Sequence, residues 1–136
     1  MHQCDGNPCF DISNREVSNL LRWMNKEPRI VHKLTQQAEW YLLEYAECII
    51  DIFGIENCYV YSDMPFESND LISPKQFKEF GLPYILDIHD KLRKRGLKQF
   101  GIHLCGNQVH NLECYNELKL EKGSIISSDE KNPQKK

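Results

Sequence analysis

Between Pro28 and Gly54, apolar residues recur at three- and four-residue spacing (Val31, Leu34, Ala38, Leu42, Tyr45, Ile49, Ile52), and the chain then changes to the β-branched and aromatic run Cys58-Tyr59-Val60-Tyr61. The first pattern is that of a long amphipathic helix stopped by glycine, the second that of a strand. The alternation continues downstream. Ser73-Pro74-Lys75-Gln76 combines an N-cap serine, a first-turn proline and a glutamine at the third helical position, and Phe77, Phe80, Tyr84, Ile88 and Leu92 mark the buried face of the helix it opens, up to Gly96. Pro83 removes a backbone donor within that helix and predicts a kink. A second strand is expected at Gln99 to Leu104, a helix at Val109 to Leu118 and a third strand at Gly123 to Ser127. Upstream, Ser13-Asn14-Arg15-Glu16 has the form of a capping box for a short helix reaching Asn25, and Pro8 to Ile12 is one more candidate strand. Such an order makes an α/β fold of parallel strands joined by crossover helices.

A chain of 136 residues has the length of one domain. We place that domain at residues 1–128 and expect a disordered tail at 129–136, which lacks any apolar side chain. The 17 Lys and Arg against 20 Asp and Glu give a net charge of −3, too little positive field to gather nucleic acid or anionic lipid, so neither is an expected partner. No apolar stretch approaches the ~20 residues of a membrane helix. The start Met1-His2-Gln3-Cys4-Asp5 has neither the basic nor the apolar region of a signal peptide, so a cytoplasmic setting with reduced thiols is expected. Of the six cysteines, Cys48 and Cys58 read as small core residues.

The segment Phe100-Gly101-Ile102-His103-Leu104-Cys105-Gly106 concentrates the chemistry. Side chains alternate across a strand, so His103 and Cys105 share one face and Ile102 and Leu104 the other. The pair stands at the C-terminal end of a parallel strand, where α/β barrels build their sites, and imidazole plus thiolate suits Zn²⁺. By itself H-x-C is a weak motif, and spacing alone favours a hydrogen-bonded histidine and a small buried thiol at a strand end over a metal site. Asp63, Glu67 and Ser68 follow the end of the preceding strand, where they read as substrate contacts or as solvated loop residues, with Asp70 a weaker candidate. Cys114 falls inside a predicted helix, Cys4 and Cys9 lie near the chain start, His32 and His110 read as helix-start or helix-surface residues, and Tyr84 as packing.

The run from Asp63-Met-Pro-Phe-Glu-Ser-Asn-Asp through Ile72-Ser-Pro-Lys-Gln-Phe-Lys-Glu-Phe-Gly-Leu-Pro-Tyr84, then Lys94-Arg-Gly96, then His103-Leu-Cys-Gly106, resembles the uroporphyrinogen decarboxylase superfamily. Weaker similarity extends from about Pro8 to Glu130, and Ser127-Ser-Asp-Glu130 is similar to that family's strand-end motif. Within it, H-x-C-G resembles the zinc-dependent methyltransferases that move methyl groups between a corrinoid protein and a small thiol. The resemblance implies a partial (β/α)8 TIM barrel of about four βα units. It implies Zn²⁺ held by His103 and Cys105, with Glu130 an exchangeable ligand, and a corrinoid carried by a partner protein. A zinc-bound thiol stays deprotonated near neutral pH, and the thiolate attacks the cobalt-bound methyl group. The other branch implies a metal-free tetrapyrrole decarboxylase with the Phe66-Glu67-Ser68 loop over the substrate. A third reading is a non-catalytic piece that needs a partner. A complete barrel takes ~250 residues, so an open half-barrel with two unpaired edges and an uncovered apolar inner face is expected to form a homo-oligomer or to join a complementing chain.

Overall fold

The computed structural model describes residues 2–5, 17–64, 67–120 and 124–128. Its strands are β1 (His2–Asp5), β2 (Cys58–Asp63), β3 (Phe100–Leu104) and β4 (Ile125–Ser128). Two helices, α1 (Val17–Lys26) and α2 (Pro28–Phe53), join β1 to β2. Helices α3 (Pro74–Phe80) and α4 (Leu82–Arg95) join β2 to β3, and the short α5 (Leu112–Tyr115), flanked by 3₁₀ turns, precedes β4. All neighbouring strands pair in parallel, in the order β1-β2-β3-β4. A doubly wound sheet reverses its strand order at a switch point, whereas a barrel adds each strand beside the last. This sheet does not reverse, and the fold is a partial (β/α)8 barrel.

Alternation along the strands separates two faces. Cys58 and Val60 on β2, and Phe100, Ile102 and Leu104 on β3, are buried under the helices. They meet Phe77, Phe80 and Ile85 near the C-terminal strand ends and Leu42, Ile50, Ile88 and Leu92 near the other end. The opposite, concave face carries Tyr59, Tyr61 and Asp63 from β2, Gly101 and His103 from β3, and Ile125 and Ser127 from β4. It is therefore largely polar and aromatic where an apolar face was expected. Adjacent residues Ile125 and Ile126 on β4 face opposite ways and are 60% and 62% exposed, so neither face of that strand is covered by the described residues.

Local signals translate well. The Ser73 capping box forms, with the Ser73 hydroxyl accepting from the Gln76 N–H at 3.2 Å and the Gln76 carbonyl accepting from the Ser73 N–H at 3.0 Å. Pro83 does not kink a continuous helix. The helix breaks at Gly81, and Pro83 falls in the first turn of α4, where its missing N–H is not required. The helix expected at 109–118 is divided into 3₁₀, α and 3₁₀ turns. A strand forms at His2–Asp5, while the strand expected at Pro8 to Ile12, the Ser13 capping box and the tail lie outside the described residues.

Cys58 is buried as expected, but Cys48 is exposed. It shares that exposure with Leu34, Tyr45 and Ile52, because the apolar stripe of α2 is wider than the sheet can cover. By helical geometry this stripe lies on the flank away from α4, which α2 meets through Glu39–Lys91 and Glu47–Arg95. Among the described residues no helix is long and apolar enough to cross a membrane.

Candidate functional site

The parallel register places Asp63, His103 and Ser127 side by side on β2, β3 and β4, at the C-terminal ends of the strands. Two residues back on each strand, and so on the same face, Tyr61, Gly101 and Ile125 form the next row. The two rows are joined by hydrogen bonds. The Tyr61 hydroxyl lies 2.8 Å from the Ser127 hydroxyl, which lies 2.7 Å from His103 Nδ1. Gly101 makes this crossing possible, since a Cβ there would fall 2.5 Å from Tyr61 Cδ2. The ring lies where a side chain on the central strand would otherwise stand.

Above the strands, the β2–α3 and β3–α5 loops are clasped together. The Ser68 hydroxyl accepts from the N–H groups of Asn107 (3.2 Å) and Asp70 (3.3 Å) and donates to the Asn107 carbonyl (3.4 Å). The N–H of Asn69 donates to the same carbonyl at 2.6 Å. Gly106 permits this approach, with a left-handed φ of 63° and a hypothetical Cβ only 2.9 Å from Ser68 Oγ. Beneath the clasp lies Gln108, fully buried. Its amide donates to the carbonyls of Met64 and Cys105, both at 2.9 Å, and its carbonyl accepts from Asn111 (3.0 Å) and Tyr115 (2.9 Å). The two carbonyls follow directly on β2 and β3, so one side chain staples adjacent strand ends. Asn111 also donates to the Glu67 carbonyl at 2.7 Å. Burial, with the Glu67 charge adding to it, pushes the Tyr115 phenol well above its ordinary range, which keeps it a hydrogen-bond donor.

Of the residues expected at the site, Asp63 and His103 are brought into one row, and Cys105 follows at the strand end, half-buried. Glu67 and Ser68 are 0% and 5% exposed, and Ser68 is engaged in closing the loops. Glu130 and Cys9 lie outside the described residues. His32, read as a helix-start or helix-surface residue, bonds Tyr84 at 2.7 Å between α2 and α4, which also gives Tyr84 a polar role. His110 is exposed and Cys114 buried. Sequence reasoning passed over Gln108, Asn111, Tyr115 and Tyr61. The first three are spaced three and four apart, a helical face with polar termini. That signal was available, although nothing local distinguishes it from an ordinary amphipathic turn.

A catalytic zinc site needs three protein ligands with an open position. Among the described residues no group of three His, Cys, Asp or Glu side chains is placed to hold a metal ion. His103 and Cys105 make two, so the described residues do not by themselves fit the ion.

The family model for Uroporphyrinogen decarboxylase (URO-D) matches residues 10–136. Among curated proteins, a uroporphyrinogen decarboxylase from Danio rerio is 33% identical over 85 residues, covering 59% of this chain and 21% of that protein. The match thus spans about a fifth of that relative's length. No solved structure matches the chain.

Proposed function

The chain belongs to the uroporphyrinogen decarboxylase family, and from that premise we propose that it forms part of the substrate-contacting wall of a tetrapyrrole decarboxylase barrel. The register of Asp63 beside His103 carries this reading. A tetrapyrrole presents N–H groups at its centre and carboxylates at its rim, so it calls for an acceptor next to a donor. Asp63 accepts from pyrrole N–H, and His103 meets the carboxylate-bearing arm. When the carbon–carbon bond breaks and CO₂ leaves, the electron pair stays on the remaining carbon, and His103, in its protonated imidazolium form, supplies the proton that carbon takes up, becomes the neutral imidazole and regains a proton from solvent. Glu67 and Ser68 contribute to substrate binding by holding the loop over the strand ends. The concave strand positions described here carry no Lys or Arg, so counter-charges for the other carboxylates come from further barrel units. A cytoplasmic setting belongs to the same proposal.

The test is a fluorescence titration with uroporphyrin, the oxidised and stable form of such a substrate. Asp63→Asn is expected to weaken binding about tenfold, equivalent to ~1.4 kcal/mol, with no effect of a chelator. Equal affinity in both proteins would sink the reading. A second reading, methyl transfer between a corrinoid protein and a small thiol, is favoured by His103 and Cys105 standing two positions apart. It requires a further ligand, Glu130 or one from another chain, and predicts stoichiometric Zn²⁺ that is lost in Cys105→Ala.

We also propose that further barrel units, from a second copy or a complementing chain, cover β4, the outer edge of β1 and the apolar flank of α2. Light scattering on the purified chain is expected to give at least twice its 16.0 kDa mass. A monodisperse, folded 16.0 kDa species would refute self-association.

A further inference from the structure

The hydroxyl of Ser127 lies between two partners, Tyr61 and His103, and has a single proton to give. Phenol is a far stronger acid than an aliphatic alcohol, so Tyr61 is the better donor of the two hydroxyls. Its proton is also best used on Ser127, the one side-chain partner it has among the described residues. If His103 Nδ1 also donated to Ser127, the serine would hold its own proton with no side-chain acceptor among the described residues. A chain running one way, Tyr61 to Ser127 to His103 Nδ1, uses both hydroxyl protons and lets each bond polarise the next.

We propose that Tyr61 and Ser127 are positioning residues that hold His103 as the tautomer protonated at Nε2, and that Gly101 is retained as the seat for the Tyr61 ring. The consequence concerns what the site takes. With Nδ1 accepting, the ring's N–H is at Nε2, so that nitrogen acts as a hydrogen-bond donor, matched to a carboxylate or another acceptor. It offers no lone pair to a metal ion. Metal uptake through Nε2 would require the whole chain to reverse, so that Nδ1 donates to Ser127 and Ser127 to Tyr61. The inference rests on His103 being the working group of the site, as proposed above, but it does not depend on which substrate is bound.

Nitrogen-15 NMR of the imidazole, on the metal-free protein at a pH where His103 is neutral, reads the tautomer directly. The expected spectrum has Nδ1 unprotonated and accepting, and Nε2 protonated. Ser127→Ala is expected to remove this single-tautomer signature and leave averaged nitrogen shifts, and Ser127→Thr, which keeps the hydroxyl, to restore it. Gly101→Ala is expected to act like Ser127→Ala by displacing the Tyr61 ring. Amide spectra with native dispersion establish that each variant folds, and the wild-type measurement stands even where one does not. A wild-type signal with Nδ1 protonated, or one unchanged in folded Ser127→Ala, would overturn the proposal. Failure of porphyrin binding with the tautomer intact would instead count against the substrate reading alone.

Discussion

Replacing Gln108 with methionine is expected to destabilise the fold by about 3–5 kcal/mol, although the side chain keeps its length and leaves no cavity. The mutation removes four hydrogen bonds at once, two to the carbonyls of Met64 and Cys105 and two from Asn111 and Tyr115. Each buried polar group left without a partner costs roughly 1–3 kcal/mol, and the sum is reduced because neighbours in one network are not additive. Against a typical stability of ~5–15 kcal/mol this is a large fraction. Gln108→Glu separates the two halves of the effect. A glutamate still accepts from Asn111 and Tyr115, but it cannot donate to the strand-end carbonyls and adds charge near buried Glu67. It is expected to cost at least as much as methionine. Urea denaturation measures both, and hydrogen exchange at the Asn69 and Asn107 amides reports whether the loop clasp opens first. A methionine variant within ~0.5 kcal/mol of wild type would show that Gln108 is no staple.

The second large effect concerns pH. His89 on α4 is 1% exposed, its ring packs against Phe100 at 4.9 Å between centroids, and neither ring nitrogen has a hydrogen-bond partner among the described residues. Burial, reinforced by the Arg93 guanidinium one turn away, lowers its pKa from 6.5 to about 4. Arg93 itself lies over the same Phe100 ring at 5.1 Å and donates to the Leu118 carbonyl, so it is fixed in place. Above pH 6.5 the imidazole is neutral in both folded and unfolded chains. Between 6.5 and about 4 the unfolded chain takes a proton that the folded one refuses, so stability falls as pH falls. The slope approaches ~1.4 kcal/mol per pH unit and the total is roughly 3 kcal/mol, complete below the folded pKa. His89→Leu removes this component. Its stability relative to wild type is expected to rise steadily from pH 7 to pH 4, with little or no penalty at neutral pH, because leucine replaces an unsatisfied buried polar group. Two denaturation curves that stay parallel across that range would exclude a neutral buried His89.

Much of the architecture was legible before any coordinates. The spacing from Val31 to Ile52, the cap at Ser73 and the alternation at Cys58 to Tyr61 report local preferences, and they correspond to α2, α3 and β2. Leu34, Tyr45 and Ile52 show the limit of such patterns. Periodicity tells that a helix has an apolar face, but how much of that face is covered depends on neighbours that the helix cannot specify. Glu67 shows the same limit for polar residues. A glutamate in a loop after a strand reads as solvated or substrate-facing, yet it is fully buried, under a loop held from the other side of a crossover.

The sequence by itself determined the kinds of element, their order, the family and the identity of His103 as the residue around which a site would form. These follow from capping, periodicity and motif, all of which act within a few residues along the chain. Only the tertiary structure decided the company His103 keeps. Tyr61 and Ser127 are 66 residues apart and meet in one hydrogen bond, and Gln108 reaches a carbonyl 44 residues upstream. Parallel pairing brings such distant residues together at the same strand ends, because each crossover returns the next strand to the same direction and register. Proton direction in the Tyr61–Ser127–His103 chain, and with it the kind of ligand the site suits, is a property of three strands side by side and of no single segment.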